Sequence, residues 1–146
     1  ANVSWRHALG FGVRASYMYT HEHVRKGEPY TSSTRPHTAT VRRDYGREWR
    51  NYGFKLSLSG RVLSSVTVDE YTSVSNYEDI ERVTYPAYTM WRLNLTQNVW
   101  KGINVTLAVD NLFNYVPKYY YSNSPTTNGT TVSAGVSVDI ERFFSR

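Results

Sequence analysis

The stretch WRLNLTQNVWKGINVTLAVD at residues 91–110 alternates between apolar and polar side chains on both sides of a short turn. Its apolar set is Trp91, Leu93, Leu95 and Val99, then Ile103, Val105, Leu107 and Val109. A period of two is typical of a β-strand with one apolar face. Because only residues 100–102 separate the two runs, the stretch predicts two long neighbouring strands joined by a tight turn.

The same alternation runs through most of the chain, and no helical period competes with it over a long window. It recurs at 9–19, 52–62 and 132–140, and more weakly at 37–45. The last of these runs stays in phase as far as Phe144. Residues 1–5 read as the tail of an earlier strand. We therefore predict an all-β, antiparallel chain with six complete strands and one tail.

The composition by itself resembles that of a soluble basic domain, and it excludes several classes of protein. The 146 residues carry 17 Lys and Arg against 12 Asp and Glu, a net charge of +5, with a mean hydropathy of −0.55. Without cysteine there is neither a disulfide framework nor a thiolate metal site. No stretch approaches the roughly 18 consecutive apolar residues of a transmembrane helix. Basic residues occur singly or in pairs such as Arg42 and Arg43, which disfavours a nucleic-acid partner.

Strand length and the lengths of the connections point instead to a transmembrane β-barrel. Runs of roughly 10 to 14 residues exceed the usual strand of about 5–6 and match strands that cross a bilayer at a tilt. The connections alternate between short and long. The short ones are 46–51 and 100–102, and the long ones are 25–36, 67–87 and 112–130. Such barrels have short periplasmic turns and long extracellular loops.

Aromatic residues collect at the ends of the predicted strands, whereas the middles carry Val, Leu, Ala and Ile. At the short-turn end these residues are Trp5, Trp49, Tyr52, Phe54, Trp100, Phe143 and Phe144. At the long-loop end they are Tyr17, Tyr19, Tyr88, Trp91, Phe113 and Tyr115. Two aromatic belts around an aliphatic band are typical of the two membrane interfaces.

The opposite face of the predicted strands is charged, which a small filled barrel could not accommodate. It carries Arg14, Lys55, Arg61, Arg92, Asn94, Asp110, Asp139 and Glu141. Six strands cannot enclose a hydrated lumen, and an open sheet leaves unpaired backbone groups in lipid. We therefore expect residues 1–146 to be one part of a larger barrel, and the chain to be processed or incomplete before Ala1.

The end of the chain resembles the C-terminal barrel segment of a TonB-dependent outer-membrane receptor, of a Bacteroides-type relative. The residues that carry the resemblance are 92–115, with the element VDNLFNY at 109–115, and the terminal strand 131–144. RPHTATV at 35–41 resembles the lead into an earlier strand of the same barrels. Ser145 and Arg146 depart from the pattern, because such strands usually finish on an aromatic residue.

The resemblance implies a 22-stranded barrel in the outer membrane of a Gram-negative bacterium, filled by an N-terminal plug that is absent from this chain. The implied partners are the remainder of the receptor, TonB acting through the missing N-terminal part, outer-membrane lipid and a surface lipoprotein. The implied function is active uptake of a scarce nutrient, with haem or another iron complex as first choice and cobalamin or a glycan as alternatives. A soluble ligand-binding β-barrel and a passive porin-type channel remain open.

The sequence offers weak candidates for ligand contact and none for catalysis. It has no nucleophile elbow or glycine-rich phosphate loop, so we predict a protein that is not an enzyme and has no intrinsic cofactor or resident metal. His21 and His23, spaced two apart at the start of a long loop, could contact haem or a metal, and His37 begins the next strand. Phenols and a cation suit a catecholate, haem or sugar, and the candidates are Lys118, Tyr119, Tyr120, Tyr121, Tyr71 and Tyr77.

Overall fold

A computed structural model describes residues 1–23, 28–32, 34–49, 52–71, 80–100, 102–118, 125 and 127–144. Within these ranges the chain forms nine strands and one short helix. The strands are β1 (Asn2–Arg6), β2 (Phe11–Tyr19), β3 (His37–Trp49), β4 (Tyr52–Leu63), β5 (Val66–Tyr71), β6 (Ile80–Tyr85), β7 (Tyr88–Trp100), β8 (Ile103–Asp110) and β9 (Thr131–Val138), and the helix is α1 (Ile140–Phe144).

Seven strands form one antiparallel sheet in the order β1-β2-β3-β4-β7-β8-β9. Each strand pairs with the next along the chain, except that the separate β5–β6 hairpin is inserted between β4 and β7. The prediction of an all-β, antiparallel chain is confirmed. The sheet is open, because β1 and β9 are its edges and do not pair with each other.

Two segments differ from the sequence-based prediction. Residues 67–87, expected as a long loop, contain most of the β5–β6 hairpin. The final strand, expected over 132–140 and in phase to Phe144, ends at Val138 and turns into α1. The Asp139 N–H makes a last bond to the Gly102 carbonyl at 2.7 Å, and the Phe143 N–H then donates to the Asp139 carbonyl in helical fashion. Phe143 packs edge-on against Trp100, with ring centroids 5.9 Å apart. A tertiary contact therefore accompanies the transition from strand to helix.

The register places apolar side chains from all seven strands on the same side of the sheet, here called the apolar face. One row across it reads Tyr45, Leu56, Leu95, Leu107 and Ala134, each paired with the next. A shift of one residue in any strand would move its apolar set to the other side. The opposite side, with Arg14, Arg42, Arg92 and Asp110 among its residues, is here called the polar face.

The apolar face remains uncovered, and the buried core lies elsewhere. Val136 and Val3 on this face are 70% and 69% exposed. The buried apolar residues are Leu63, Val66, Val68, Tyr85, Tyr88 and Ala108. Three of them belong to the β5–β6 hairpin, where Tyr30 and Val83 pack beside them, and the other three share the register positions of the polar face. An apolar surface that extends across seven strands is therefore left for another partner to cover.

The only helix in the described ranges, α1, is five residues long, and the structure contains no helix there that is long and apolar enough to cross a membrane.

Candidate functional site

The two ends of the sheet differ in the lengths of the connections between strands. The short-turn end holds the turn at residues 7–10 and the two-residue links 50–51 and 101–102. At the turn, Gly10 adopts φ +85°, and a Cβ there would lie 2.0 Å from the Gly46 carbonyl oxygen, so only glycine fits. The long-loop end is where β2 ends and β3 begins, where the chain leaves β4 for the β5–β6 hairpin and returns to β7, and where β8 ends and β9 begins. The long-loop end and the polar face therefore carry the candidate ligand-contacting residues.

A row of charged residues crosses the polar face. Arg14 and Arg42 lie directly opposite each other on β2 and β3, a like-charge pair that by itself would be destabilising. Asp44 compensates both charges, at 2.9 Å from Arg42 and 4.0 Å from Arg14. Farther along the same row, Arg92 pairs with Asp110 at 3.0 Å. These exposed pairs contribute little stability each, so the row marks a hydrated surface rather than a core.

The polar face forms a groove with a volume of ≈ 860 Å³ that spans β1 to β4, β7 and β8 and ends at Asn111, Thr127 and Gly129. Four arginines line it, namely Arg14, Arg42, Arg61 and Arg92, against Asp110. Arg61 has no ion-pair partner within the described ranges. The groove is therefore wide, hydrated and cationic, which suits a water-filled lumen or an anionic surface docked in it.

Asn111 organises the long-loop end above β8. Its side-chain amide donates to the Tyr115 carbonyl at 2.7 Å and to Thr127 Oγ1 at 3.1 Å, and its Oδ1 accepts from the Tyr115 N–H at 2.8 Å. The residue is 4% exposed and has a left-handed φ of 53°. Asn114, with φ 54°, accepts the Thr130 N–H on its Oδ1 at 3.0 Å. The element 109–115 thus contains two asparagines that join the start of the last loop to its end.

Arg35 joins the sheet to the β5–β6 hairpin. One guanidinium nitrogen donates to the carbonyls of Ser64 and Pro86, the latter at 2.8 Å, at the two points where the chain enters and leaves the hairpin. The guanidinium also lies 4.7 Å from the centre of the Tyr88 ring, which stacks on Tyr115. Sequence reasoning noted Arg35 only as part of a resemblance, because its partners are 29 and 51 residues away.

The segment around Tyr30 is hydrogen-bonded to β5 through Asp69. The Asp69 N–H donates to the Tyr30 carbonyl at 2.7 Å, and the Tyr30 N–H donates to the Asp69 carboxylate at 3.0 Å. Arg82 on β6 donates to the same carboxylate at 2.9 Å. The hydrogen bond from Arg82, then that from the Tyr30 backbone, lower the pKa of Asp69 below 3.8 despite partial burial. Hydrogen bonds from Ser32 and Thr34 likewise lower the pKa of Glu22.

Acidification is expected to release this segment from the hairpin. Because the pKa of Asp69 is lower in the folded chain than its ordinary 3.8, the stabilisation is complete above that pH and is lost as pH falls through the folded value. Amide exchange at Tyr30 and Asp69, corrected for intrinsic rates, should accelerate below about pH 4 while β3 stays protected. Asp69→Asn keeps an acceptor but not the charge, so only the weaker dependence from Glu22 should remain. Identical pH profiles for both proteins would contradict the assignment.

The predicted histidine group is only partly assembled. The Tyr17 hydroxyl and His37 Nδ1 are 2.6 Å apart, and the Tyr19 ring lies 5.0 Å from His37 and 6.4 Å from His21. His37 pairs with Tyr19 and therefore lies on the apolar face. β2 ends before His21, and His23 makes no ring contact with these residues in the described part of the chain. In those same ranges no group of three or more His, Cys, Asp or Glu could hold a metal ion.

The other predicted contact residues are less informative. Lys118 is exposed at the end of a described range, and Tyr71 is exposed at the end of β5. Tyr77, Tyr119, Tyr120 and Tyr121 lie outside the described residues.

The aromatic residues expected at the two interfaces lie mostly on the apolar face. At the short-turn end Trp5, Trp49 and Phe54 share it, and Trp49 packs against Tyr52 at 5.7 Å. At the long-loop end it carries Tyr17, Tyr19 and Trp91, with the exposed Phe113 edge-on to Trp91 at 6.0 Å.

Tyr88, expected as an interface residue, differs in position from most of the other aromatic residues of that set. It pairs with Leu63 on the polar side of the sheet and is only 9% exposed, because Tyr115 and Arg35 enclose its ring. Tyr115 stacks on it at 5.0 Å and so belongs to the same cluster. The odd spacing of Tyr88 from Trp91 puts the two on opposite faces of an alternating strand, but the sequence does not show that Tyr115 and Arg35 enclose the Tyr88 ring. Phe143 lies in α1, and the Phe144 side chain is outside the described part of the structure.

The fold and its two faces define an antiparallel β-sheet protein with one uncovered apolar side and one charged, grooved side. Comparison with known proteins finds no matching family model, no matching curated protein and no matching solved structure.

Proposed function

We propose that this chain forms seven consecutive strands in the wall of a larger transmembrane β-barrel in the outer membrane of a Gram-negative bacterium. The barrel would belong to a TonB-dependent receptor that takes up a scarce nutrient. The observation that carries the proposal is the apolar face, which extends over seven strands in register and remains uncovered while charged residues occupy the opposite face. Apolar outside and polar inside is the arrangement that a barrel in lipid requires.

The open edges of the sheet support a barrel larger than this chain. Unpaired N–H and C=O groups along an edge strand are costly in hydrocarbon, so β1 and β9 each need a further strand beside them. The cationic groove would then line the lumen, where a plug or hydrated cargo could face it. Short connections at one end and long ones at the other agree with periplasmic turns and extracellular loops.

A charge placed on either face tests this orientation. Leu107 on the apolar face and its neighbour Thr106 on the polar face are matched positions on β8. Leu107→Lys is expected to destabilise the protein folded in lipid vesicles by about 2–4 kcal/mol, because the ammonium would enter hydrocarbon. Thr106→Lys should cost less than about 1 kcal/mol, since its ammonium meets water. Denaturant titration in vesicles gives both values. Equal costs, or a monomer that is stably folded without detergent, would instead favour a soluble barrel.

Haem or another iron complex is the cargo that we propose first, with cobalamin or a glycan as the alternative. Fewer histidines support haem as the cargo than the sequence suggested. His37 shares the apolar face with Tyr17 and would point away from the lumen. His21 and His23, both exposed beyond the end of β2, remain the candidates for contact with iron.

Haem binding by the intact receptor tests these two residues. Replacing His21 and His23 with alanine should weaken haem binding by about tenfold or more, measured by absorbance titration, if an imidazole ligates the iron. His7→Ala, at the short-turn end, is the matched control and should leave the affinity unchanged. Unaltered affinity in the double variant would remove haem ligation by this chain. Uptake that persists in cells lacking TonB would favour a porin-type channel.

A further inference from the structure

Two arginines of β3 interrupt the apolar face. Arg47 lies two residues from the short-turn end of the strand, and Arg43 is its middle residue, level with Val13 near the start of β2. Arg43 pairs with Val13 on one side and Leu58 on the other, and Arg47 pairs with Phe54. All three partners are apolar, and both arginine side chains are exposed. An arginine facing hydrocarbon costs about 2–4 kcal/mol at mid-depth and much less near the interface. Their presence on this face therefore needs a compensating interaction.

No carboxylate supplies that interaction in the part of the chain that the structure describes. The two acidic residues of β3, Asp44 and Glu48, point to the polar face, where they pair with Arg42 and Lys55. Neither Arg43 nor Arg47 takes part in any ion pair within the described residues.

Both guanidinium groups extend towards the short-turn end. The Arg43 guanidinium carbon lies 5.6 Å from the centre of the Phe11 ring, and Phe11 is level with Tyr45, two residues nearer that end. The Arg47 guanidinium carbon lies 5.3 Å from the Trp49 ring, again two residues nearer the same end. Extension towards one interface is how long basic side chains keep their charge out of hydrocarbon.

We propose that Arg43 and Arg47 each bind the phosphate of an anionic phospholipid headgroup in the membrane leaflet at the short-turn end. This inference rests on the proposed transmembrane orientation. The planar guanidinium suits a phosphate because it can donate two parallel hydrogen bonds to its oxygens. The cation–π contacts with Phe11 and Trp49 favour these positions of the two guanidinium groups, and Arg47 is the nearer of the two to the short-turn end. Trp49, Tyr52 and Phe54 beside Arg47 form the aromatic belt that such an interface favours.

The test uses the intact protein reconstituted in vesicles of phosphatidylcholine and phosphatidylglycerol. In one sample the phosphatidylcholine carries brominated acyl chains, and in the other the phosphatidylglycerol does. The extent to which each brominated lipid quenches tryptophan fluorescence gives the relative affinity of that lipid for the protein surface. We expect a preference for phosphatidylglycerol that falls about fivefold with Arg43→Gln and again with Arg47→Gln, the factor that corresponds to ~1 kcal/mol per basic residue near an anionic surface. Arg47→Lys, which keeps the charge, should retain most of the preference.

Arg61→Gln is the matched control, because it removes a charge from the polar face and should not alter the preference. The proposal is overturned if the protein quenches equally with both lipids, if the double variant keeps the preference, or if Arg61→Gln lowers it as much. Displacement of the brominated phosphatidylglycerol by inorganic phosphate would assign the site to a free anion and overturn the lipid assignment. If neither brominated lipid quenches any tryptophan, the transmembrane orientation itself fails, which is distinct from equal quenching by both.

Discussion

Asn111→Ala is expected to lower the free energy of unfolding by about 3–4 kcal/mol, the largest effect of any single substitution that we propose. The variant loses three side-chain hydrogen bonds. Two are with the backbone N–H and C=O of Tyr115, and the third is with Thr127 Oγ1. The lost bonds lie in a partly buried site, where Asn111 itself is 4% exposed, so water replaces them incompletely. The variant also places alanine at a left-handed φ of 53°, which asparagine tolerates better.

Two graded variants separate these causes, and both can be measured by denaturant titration of the folded protein. Asn111→Gly removes the conformational cost but not the lost bonds, so it should recover about 1 kcal/mol. Asn111→Asp keeps the acceptor for the Tyr115 N–H and should fall between alanine and the parent protein. Asn94→Ala is the control, since within the described residues the Asn94 side chain has a single hydrogen bond, a long one from Arg92 at 3.3 Å. This variant should change stability by less than about 0.5 kcal/mol. Equal losses at Asn111 and Asn94 would show that the asparagine does not hold the loop.

Gly60→Ala is expected to destabilise the sheet by about 2 kcal/mol, although glycine to alanine in a strand usually stabilises. A Cβ at Gly60 would lie 2.5–2.6 Å from three atoms of the Trp91 indole, which covers the glycine from the neighbouring strand. Moving the indole away from the new Cβ would disturb its edge-on contact with Phe113, whose ring centre lies 6.0 Å away. The close approach of ring and backbone therefore requires a residue without a side chain.

The matched control has the opposite expected sign. Gly135 lies within β9 and a Cβ there would meet nothing within 4 Å, so Gly135→Ala should stabilise by about 0.4–1 kcal/mol. In a Trp91→Leu background the cost of Gly60→Ala should largely disappear, giving a coupling energy of about 1–2 kcal/mol. Thermal or denaturant unfolding of the four proteins measures it. Additive effects of Gly60→Ala and Trp91→Leu would mean that the indole does not set the cost.

The strands of the large sheet could be predicted because the alternation of apolar and polar side chains is a pattern within each strand. Alternation at 9–19, 52–62 and 91–109 places side chains on two faces without reference to any other part of the chain. The same rule explains why the run at 37–45 was underestimated. β3 extends from His37 to Trp49, but Arg43 and Arg47 interrupt its apolar set and weaken the periodic signal.

The candidate site was less predictable, because its contacts join distant residues. The β5–β6 hairpin has a short alternating pattern, Val66 and Val68, that becomes decisive only when Tyr85 and Tyr30 pack beside it. Arg35 and Asn111 have no periodic signature at all, since their partners are carbonyls and hydroxyls in other loops. The histidines were visible in the sequence, and alternation puts His37 in phase with Ala39 and Val41, but only the register brings His37 beside Tyr17 and Tyr19.

The amino-acid sequence by itself determined the strands and the chemical difference between their two faces, because both follow from a period of two within each segment. Tertiary structure alone decided the register that aligns seven apolar sets into one surface, the open edges at β1 and β9, and the helical turn at Ile140–Phe144. It also decided that the polar and aromatic residues of the long loops stabilise one another around Arg35 and Asn111. These outcomes depend on hydrogen bonds and packing between segments far apart in the chain, which no local pattern records.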